Sequence, residues 1–162
     1  MADFRIDDCT SQRAPGRLIR RIDKLMRALT EERLSTVGIT YSQWATLKLV
    51  RDGVVATAGE LGRELGYTSG ATTRLLDGLE QRGCIERVRS VADRRVVRLS
   101  VTAAGEELAQ RGMQPVLDLW NEMVADLDQA EANLFIETLL KLVGAIEAKV
   151  GQRELPVAEA AE

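Results

Sequence analysis

The residues best suited to chemistry in this chain are arginines, and they are concentrated in one short stretch. Positions 82 to 98 contain six arginines and only two acidic residues. The whole chain has a net charge of −3, so this stretch is locally basic on an otherwise acidic protein. Guanidinium groups recognise phosphate through a planar fork of N–H donors. The pattern therefore favours binding of a polyanion through one face of the protein rather than through its whole surface.

Groups that could support catalysis or metal binding are scarce. The chain has no histidine, and its two cysteines, Cys9 and Cys84, do not have a metal-ligand spacing. It also lacks a glycine-rich phosphate loop of the GxxxxGK kind. We therefore predict that the protein is not an enzyme and needs no metal or cofactor. Asp7 and Asp8 disfavour a thiolate at Cys9, which argues against redox sensing, while Cys84 occupies an apolar position expected in the core.

A short helix with clear boundaries precedes most of the arginines. Thr68 can cap this helix, which is predicted to span about 69–82, and Gly83 can end it. Gly66 supplies a turn after a preceding helix at about 58–65, so the pair has the layout of a helix-turn-helix. The residues at its start are small, and the predicted DNA contacts from its outer face are Ser69, Gly70, Thr73 and Arg74. An ordinary helical hairpin with one polar face would show the same spacing.

The segment after this helix is predicted to be a β-hairpin with a basic tip. Residues 84–89 and 95–101 have the composition of two strands, and Asp93, Arg94 and Arg95 lie between or beside them. An arginine on a narrow tip can enter a DNA minor groove, where the negative potential is strong. Asp93 can accept a hydrogen bond from one arginine and hold the other outward. A solvated charged turn is the alternative, but helix and hairpin together favour DNA binding.

Both ends of the chain are predicted to be helical. Apolar residues recur every three or four positions within 16–38 and 102–151, and each of these helices has more apolar surface than a small winged domain can cover. A second copy of the chain is the simplest cover; packing of these helices on one another in a monomer is the alternative. We predict a mainly α fold with a small β wing, in which a winged helix-turn-helix at 39–101 joins a helical dimerisation region at 16–38 and 102–151. Residues 1–15 are predicted to form a flexible arm and 152–162 a flexible tail.

Residues 39–108 resemble the MarR (multiple antibiotic resistance regulator) family of winged helix-turn-helix transcription factors. Three features carry the resemblance: the glycine turn before TRLLDGLE, the DRR wing, and LSVTAAG at the start of the next helix. The resemblance implies a homodimer on palindromic double-stranded DNA, with the helix at 69–82 in the major groove and the wing in the minor groove. By position it places Ser69, Gly70, Thr73 and Arg74 on the reading helix and Asp93 and Arg95 in the wing, with Arg95 as the groove-inserting arginine, Arg94 as a phosphate or secondary contact and Arg63 as a phosphate contact. Thr68 and Thr72 of the same helix and Arg89 of the wing are further predicted DNA contacts. Gly70 and Gly78 depart from the residues common in the family.

Regulators that resemble this chain often bind a small aromatic or phenolic ligand between the dimerisation helices and the winged domain. Met26, Trp44 and Met113 are candidates for lining such a pocket, and Arg17 for meeting a carboxylate, although core packing and solvation are the simpler roles for these residues. We therefore predict a cytoplasmic repressor that binds an operator as a homodimer and is released by a small ligand. An activator or a ligand-independent regulator of the same fold is the alternative, and a winged-helix protein–protein adaptor is a further one. No apolar run predicts a membrane span or a signal peptide.

Overall fold

A computed structural model of the chain describes residue 10, residues 12–89 and residues 97–151. The element order is α1 (Pro15–Ser35), α2 (Tyr41–Arg51), α3 (Ala58–Leu65), α4 (Ser69–Gln81), β1 (Ile85–Arg89), β2 (Val97–Val101), α5 (Ala103–Met123) and α6 (Gln129–Val150). The fold is mainly helical with a small two-stranded wing, which confirms the predicted fold class. No helix within these described ranges is long and apolar enough to cross a membrane.

Local sequence signals set most helix boundaries. Capping boxes formed by Thr40 with Gln43, by Thr57 with Glu60 and by Asp128 with Glu131 begin α2, α3 and α6. Thr68 and Thr102 accept backbone N–H groups at the starts of α4 and α5. Gly66 and Gly83 adopt left-handed backbone angles after α3 and α4, where a side chain would be strained. The helices predicted at about 58–65 and 69–82 are therefore confirmed to within about a residue.

The winged unit has an aliphatic core. Its fully buried side chains include Leu47 from α2, Leu61 from α3, Leu76 and Leu79 from α4 and Ile85 from β1. Cys84 is also buried, as the sequence predicted. The wing is an antiparallel pair in which Ile85 lies opposite Val101 and Arg89 lies opposite Val97.

The segment between α2 and α3 joins this wing. The Leu99 N–H donates a 2.8 Å hydrogen bond to the Ala56 carbonyl, and Thr57 forms a bridge with Arg98. The Glu60 carboxylate accepts from the backbone N–H groups of Ala56 and Thr57, at 2.7 and 3.0 Å. These two hydrogen bonds lower the pKa of Glu60 below its ordinary value, and the bond from Ala56 has the larger effect. One acidic side chain thus fixes the start of α3 against the wing.

The helices from the two chain ends lie outside the winged core and differ in how well they are covered. α5 packs against α1 and α2 and buries Leu108, Ala109, Val116 and Leu119. α6 has no buried residue, although Leu134, Ile136, Leu140, Leu142, Val143 and Ile146 are all apolar and exposed. α1 likewise exposes Leu18, Ile19, Ile22, Leu25 and Leu29. A single chain therefore leaves a large apolar surface uncovered.

Several predictions lie outside the described residues. They include Cys9, most of the predicted arm at 1–15, the predicted tail at 152–162 and residues 90–96, which contain the predicted wing tip. Asp93, Arg94 and Arg95 belong to that tip, so their predicted roles stay predictions. Within the described residues, α1 begins at Pro15, one residue before the predicted boundary of the arm.

Candidate nucleic-acid interface

The first two turns of α4 present a narrow, exposed and polar surface. Thr68, Ser69, Gly70, Thr73 and Arg74 are all exposed. A Cβ atom at Gly70 would meet no other atom within 4 Å, so this edge of the helix is open to a close-fitting partner. The Thr73 hydroxyl donates a 2.9 Å hydrogen bond to the Ser69 carbonyl, which satisfies the donor and leaves the methyl group and oxygen on the surface. This end of the helix can accept a phosphate or approach base edges.

Thr72 does not share this surface, and its predicted DNA contact is not compatible with its position. Its side chain is 2 % exposed. The hydroxyl donates a 3.0 Å hydrogen bond to the Thr68 carbonyl and lies against α3, where a Cβ atom at Gly62 would come within 3.0 Å of it. Position 72 is on the inner face of α4 with Leu76 and Leu79. Thr72 therefore packs the turn between α3 and α4 instead of reaching outward.

Side-chain hydrogen bonds fix α4 at both ends. In the turn before it, the hydroxyl groups of Tyr67 and Ser42 lie 2.6 Å apart and tie this turn to α2. At its other end Arg82 donates to the Gln43 side chain and to the Gly38 carbonyl, both at 3.0 Å. The helix thus has a fixed orientation relative to α2 and to the loop that leaves α1.

The remaining predicted contacts flank α4. Arg63 is exposed on α3, so its predicted phosphate contact is sterically open. Arg89 is exposed at the end of β1, one residue before the part of the wing that is not described. Arg98 is exposed on β2. Arg87 points the other way, because its guanidinium group bonds to Asp77 of α4 at 2.5 Å.

A cleft of about 350 Å³ lies between the helical region and the winged unit. Its lining is mostly apolar and comes from α1, α2, α5 and α6: Ile19, Ile22, Asp23, Met26, Arg27, Thr30, Tyr41, Trp44, Val116, Trp120, Phe135 and Leu139. The polar groups lie on α1 and α2. Arg27 stands over the Tyr41 ring at 5.0 Å, within the range of a cation–π contact, and also pairs with Asp23 at 3.5 Å. The cleft could hold an apolar or aromatic molecule that carries one anionic group.

The four residues predicted to form a ligand pocket divide between two environments. Met26 and Trp44 line the cleft. Met113 instead packs against the hydrophobic core, and Arg17 lies on the exposed side of α1 with Arg20, Arg21 and Lys24, away from the lining. The prediction that Arg17 and Met113 belong to the pocket is therefore not supported by their positions. The direction in which each side chain points depends on how α1 and α5 are oriented about their own axes, and residue spacing alone does not determine that orientation.

Several residues of the cleft lining were not predicted from the sequence. Arg27 follows Met26 directly, and Trp120 lies one helical turn after Val116, so both were accessible to a helical-periodicity argument. Phe135 and Leu139 are apolar residues of α6, and no local signal indicates that they close a cleft on α1 and α2. Within the described residues, no group of three or more His, Cys, Asp or Glu side chains could hold a metal ion.

Comparison with known proteins gives a family for this arrangement. The MarR family model matches residues 37–96, a range that contains α2, α3, α4 and β1. The multiple antibiotic resistance protein MarR of Escherichia coli is 34% identical over 129 residues, which cover 79% of this chain and 89% of that protein. An organic hydroperoxide resistance transcriptional regulator of Bacillus subtilis is 33% identical and covers 65% of this chain and 76% of the relative.

The chain belongs to the MarR family. Solved structures of this family have the same fold. A mutant of Escherichia coli MarR complexed with operator DNA superposes with a TM-score of 0.66 at 33% identity, covering 79% of this chain and 91% of that one. A MarR family protein of Mycobacterium tuberculosis in complex with salicylic acid gives a TM-score of 0.68 at 27% identity, covering 79% and 95%.

Membership confirms the resemblance found from the sequence and makes the protein a transcriptional regulator of the winged-helix class. The motifs that carried the resemblance are local: the turn before α4, the hairpin and the start of α5. The cleft between α1, α2, α5 and α6 depends instead on contacts between distant parts of the chain.

Proposed function

We propose that this MarR family protein is a homodimeric repressor that binds a palindromic operator and is released by a small aromatic or phenolic ligand. The observation that carries the proposal is the exposed, slim start of α4, with Ser69, Gly70, Thr73 and Arg74 on one surface. Thr68, Arg63 and Arg89 flank it and can contribute to phosphate binding. Arg94 and Arg95, with Asp93 to orient them, are proposed to extend this surface into the adjacent minor groove.

The dimer is supported by uncovered apolar surface on α1 and α6. A helix such as α6, with apolar side chains on its stripe and none of them buried, is unfavourable in water. Each Leu or Ile that a partner covers contributes roughly 1.5–3 kcal/mol. A dimer through these helices would also set the distance between two copies of α4, which is what a palindromic operator requires.

Ligand control is supported by the cleft beside Trp44. The Escherichia coli relative has been solved with operator DNA and the Mycobacterium tuberculosis relative with salicylic acid. In this chain Arg27 could meet a carboxylate, while Trp44 and Trp120 could contact an aromatic ring. A ligand held between α1 and α2 would change the position of the winged unit relative to the dimer helices. The simplest consequence is that the protein represses without the ligand and is released from the operator when the ligand binds. Cytoplasmic location follows from this function.

The direct test is selection of bound sequences from random duplex DNA. We expect enrichment of a palindrome, with a half-site spacing of about one helical turn. Enrichment of a single half-site would contradict the dimeric arrangement. Absence of any salt-dependent duplex binding would refute DNA binding itself and favour a protein–protein adaptor.

The ligand is tested with salicylate as the probe. Both tryptophans of the chain line the cleft, so binding should quench the intrinsic fluorescence. Arg27→Gln should weaken this quenching, whereas Arg111→Gln, at an exposed position of α5 outside the cleft, serves as the matched control. Salicylate should lower affinity for the selected duplex if the ligand releases DNA. Unchanged duplex affinity at saturating salicylate would contradict release by a ligand of this kind.

A further inference from the structure

Arg87 connects the wing to the recognition helix through three acceptors. Its guanidinium group contacts the Asp77 carboxylate at 2.5 Å, the Thr73 carbonyl at 3.5 Å and the Glu80 carboxylate at 3.6 Å. These acceptors are spaced by four and three residues, so they form one face of α4 over two turns. The ion pairs of Arg87 are the ones that join α4 to the hairpin within the described ranges.

This connection has several acceptors around one half-buried cation. The Arg87 side chain is 28% exposed and its partners Asp77 and Glu80 are 45% and 44% exposed, so the number of acceptors rather than burial distinguishes the cluster. Multiple acceptors in a fixed geometry suit the planar guanidinium, and a lysine ammonium would not satisfy them in the same way. The arrangement therefore restricts the angle between α4 and β1 in addition to contributing charge.

The position of these contacts matters because one of them is at Thr73, which also belongs to the exposed polar surface of α4. Thr73, whose carbonyl lies near Arg87, also presents its side chain on the exposed surface with Arg74. A small rotation of α4 about its axis would move both side chains. Such a rotation would affect discrimination between DNA sequences more than it would affect binding to the phosphate backbone, because contacts with base edges require exact placement of the side chains.

We propose that Arg87 is a positioning residue for sequence recognition: it acts through Asp77, Glu80 and the Thr73 carbonyl to fix the orientation of α4 relative to the wing. It does so without contacting DNA itself. This inference depends on the proposed DNA-binding function. It differs from the role proposed for Arg89, Arg94 and Arg95, whose charge is offered directly to DNA.

The test is a double-mutant cycle that measures selectivity, the ratio of affinities for the selected duplex and for an unselected duplex of equal length. Arg87→Lys, Arg87→Gln and Asp77→Asn should each lower this ratio by about tenfold. The double variant Asp77→Asn/Arg87→Gln should be no worse than either single variant, because both remove the same connection. Arg51→Gln is the control, since it also removes one partner of an ion pair, with Asp52 at the end of α2.

A direct phosphate contact by Arg87 predicts different results. Arg87→Lys would then keep the ratio, because the charge is kept, and Asp77→Asn would bind all duplexes more tightly, because an acid is removed. Either result overturns the inference, as would additive losses in the double variant. Should Arg87→Gln not fold, by circular dichroism and thermal melting, the lysine and asparagine variants still decide between the two roles.

Failure of the proposed function and failure of the positioning role give different results. Wild-type protein that prefers no duplex refutes the proposed function, and the role of Arg87 in recognition with it. Selective wild-type binding together with unchanged ratios in the variants refutes the positioning role alone.

Discussion

The indole N–H of Trp44 donates a 3.1 Å hydrogen bond to the carbonyl of Ala109, and this bond joins the first helix of the winged unit to α5. The two residues are 65 positions apart in the chain. Trp44 is 8% exposed and also lines the cleft. Its ring therefore forms part of the connection between α5 and the winged unit.

A glycine on α5 makes room for this ring. A Cβ atom at Gly112 would lie 2.5 Å from Cδ1 of Trp44 and 2.9 Å from Cδ2 of Leu34. We expect Gly112→Ala to lower the free energy of unfolding by about 1–3 kcal/mol, because the ring and Leu34 are both buried and cannot move freely. Urea denaturation followed by circular dichroism measures this change.

Gly78→Ala is the matched control for that variant. Gly78 is also inside a helix, but a Cβ atom there would meet nothing within 4 Å. Alanine should therefore stabilise the protein by about 0.5–1 kcal/mol through its higher helix propensity. Equal effects of the two substitutions would show that the Trp44 contact does not require glycine.

The two classes of predicted DNA contact should respond differently to mutation. Arg95→Ala should weaken binding to all duplexes and reduce the slope of log K against log salt by about one, because a wing arginine acts through phosphate and groove potential. Arg74→Ala should mainly reduce preference for the selected duplex, because its exposed side chain is on the reading face of α4. Affinities measured by fluorescence anisotropy across a salt series test both. Unchanged operator affinity in Arg95→Ala would eliminate the wing assignment.

A charge on the apolar face of α6 should separate the proposed dimer. Ile146 is 50% exposed in the single chain and lies on the stripe with Leu139 and Val143. We expect Ile146→Glu to sediment as a monomer in analytical ultracentrifugation and to lose binding to a palindromic duplex, because a carboxylate is costly in an apolar interface.

Lys141→Glu provides the comparison for the α6 variant. Lys141 is on the same helix, its side chain is 77% exposed, and it pairs only at 4.0 Å with Glu137. This variant should remain dimeric because its position is away from the apolar stripe. Dimeric Ile146→Glu protein would mean that α6 is not the dimer contact.

Glu60 should make folding stability depend on pH in the acid range. Hydrogen bonds from the Ala56 and Thr57 N–H groups lower its pKa from an ordinary value of 4.5. The ionised Glu60 carboxylate therefore stabilises the folded state. This stabilisation is complete above the pKa of Glu60 in the unfolded chain, and it is lost as the pH falls through the lower pKa in the folded protein.

Urea midpoints measured at a series of pH values from neutral to below that range test the role of Glu60. Wild type should lose stability on acidification more steeply than Glu60→Gln, which cannot ionise. Glu107→Gln, at an exposed position on α5, controls for general charge effects. Parallel curves for wild type and Glu60→Gln would show that the capping carboxylate does not contribute to acid sensitivity.

The sequence by itself determined the elements and the family. The capping pairs of Thr40 with Gln43 and of Thr57 with Glu60, and the glycine stops at Gly66 and Gly83, act over a few residues, so their geometry follows from local chemistry. The motifs at the turn, wing and start of α5 are also local. This is why the fold class could be predicted without any knowledge of packing.

Tertiary structure alone decided which way individual side chains face and which distant segments meet. Thr72 is one residue from exposed Thr73, yet packing against Gly62 buries it. Met26 reaches the cleft and Met113 reaches the core, because the rotation of each helix is set by its neighbours. The bond between Arg87 and Asp77 depends on how the wing folds back on α4. These relationships arise from packing between segments far apart in the chain, and spacing within one segment carries no information about them.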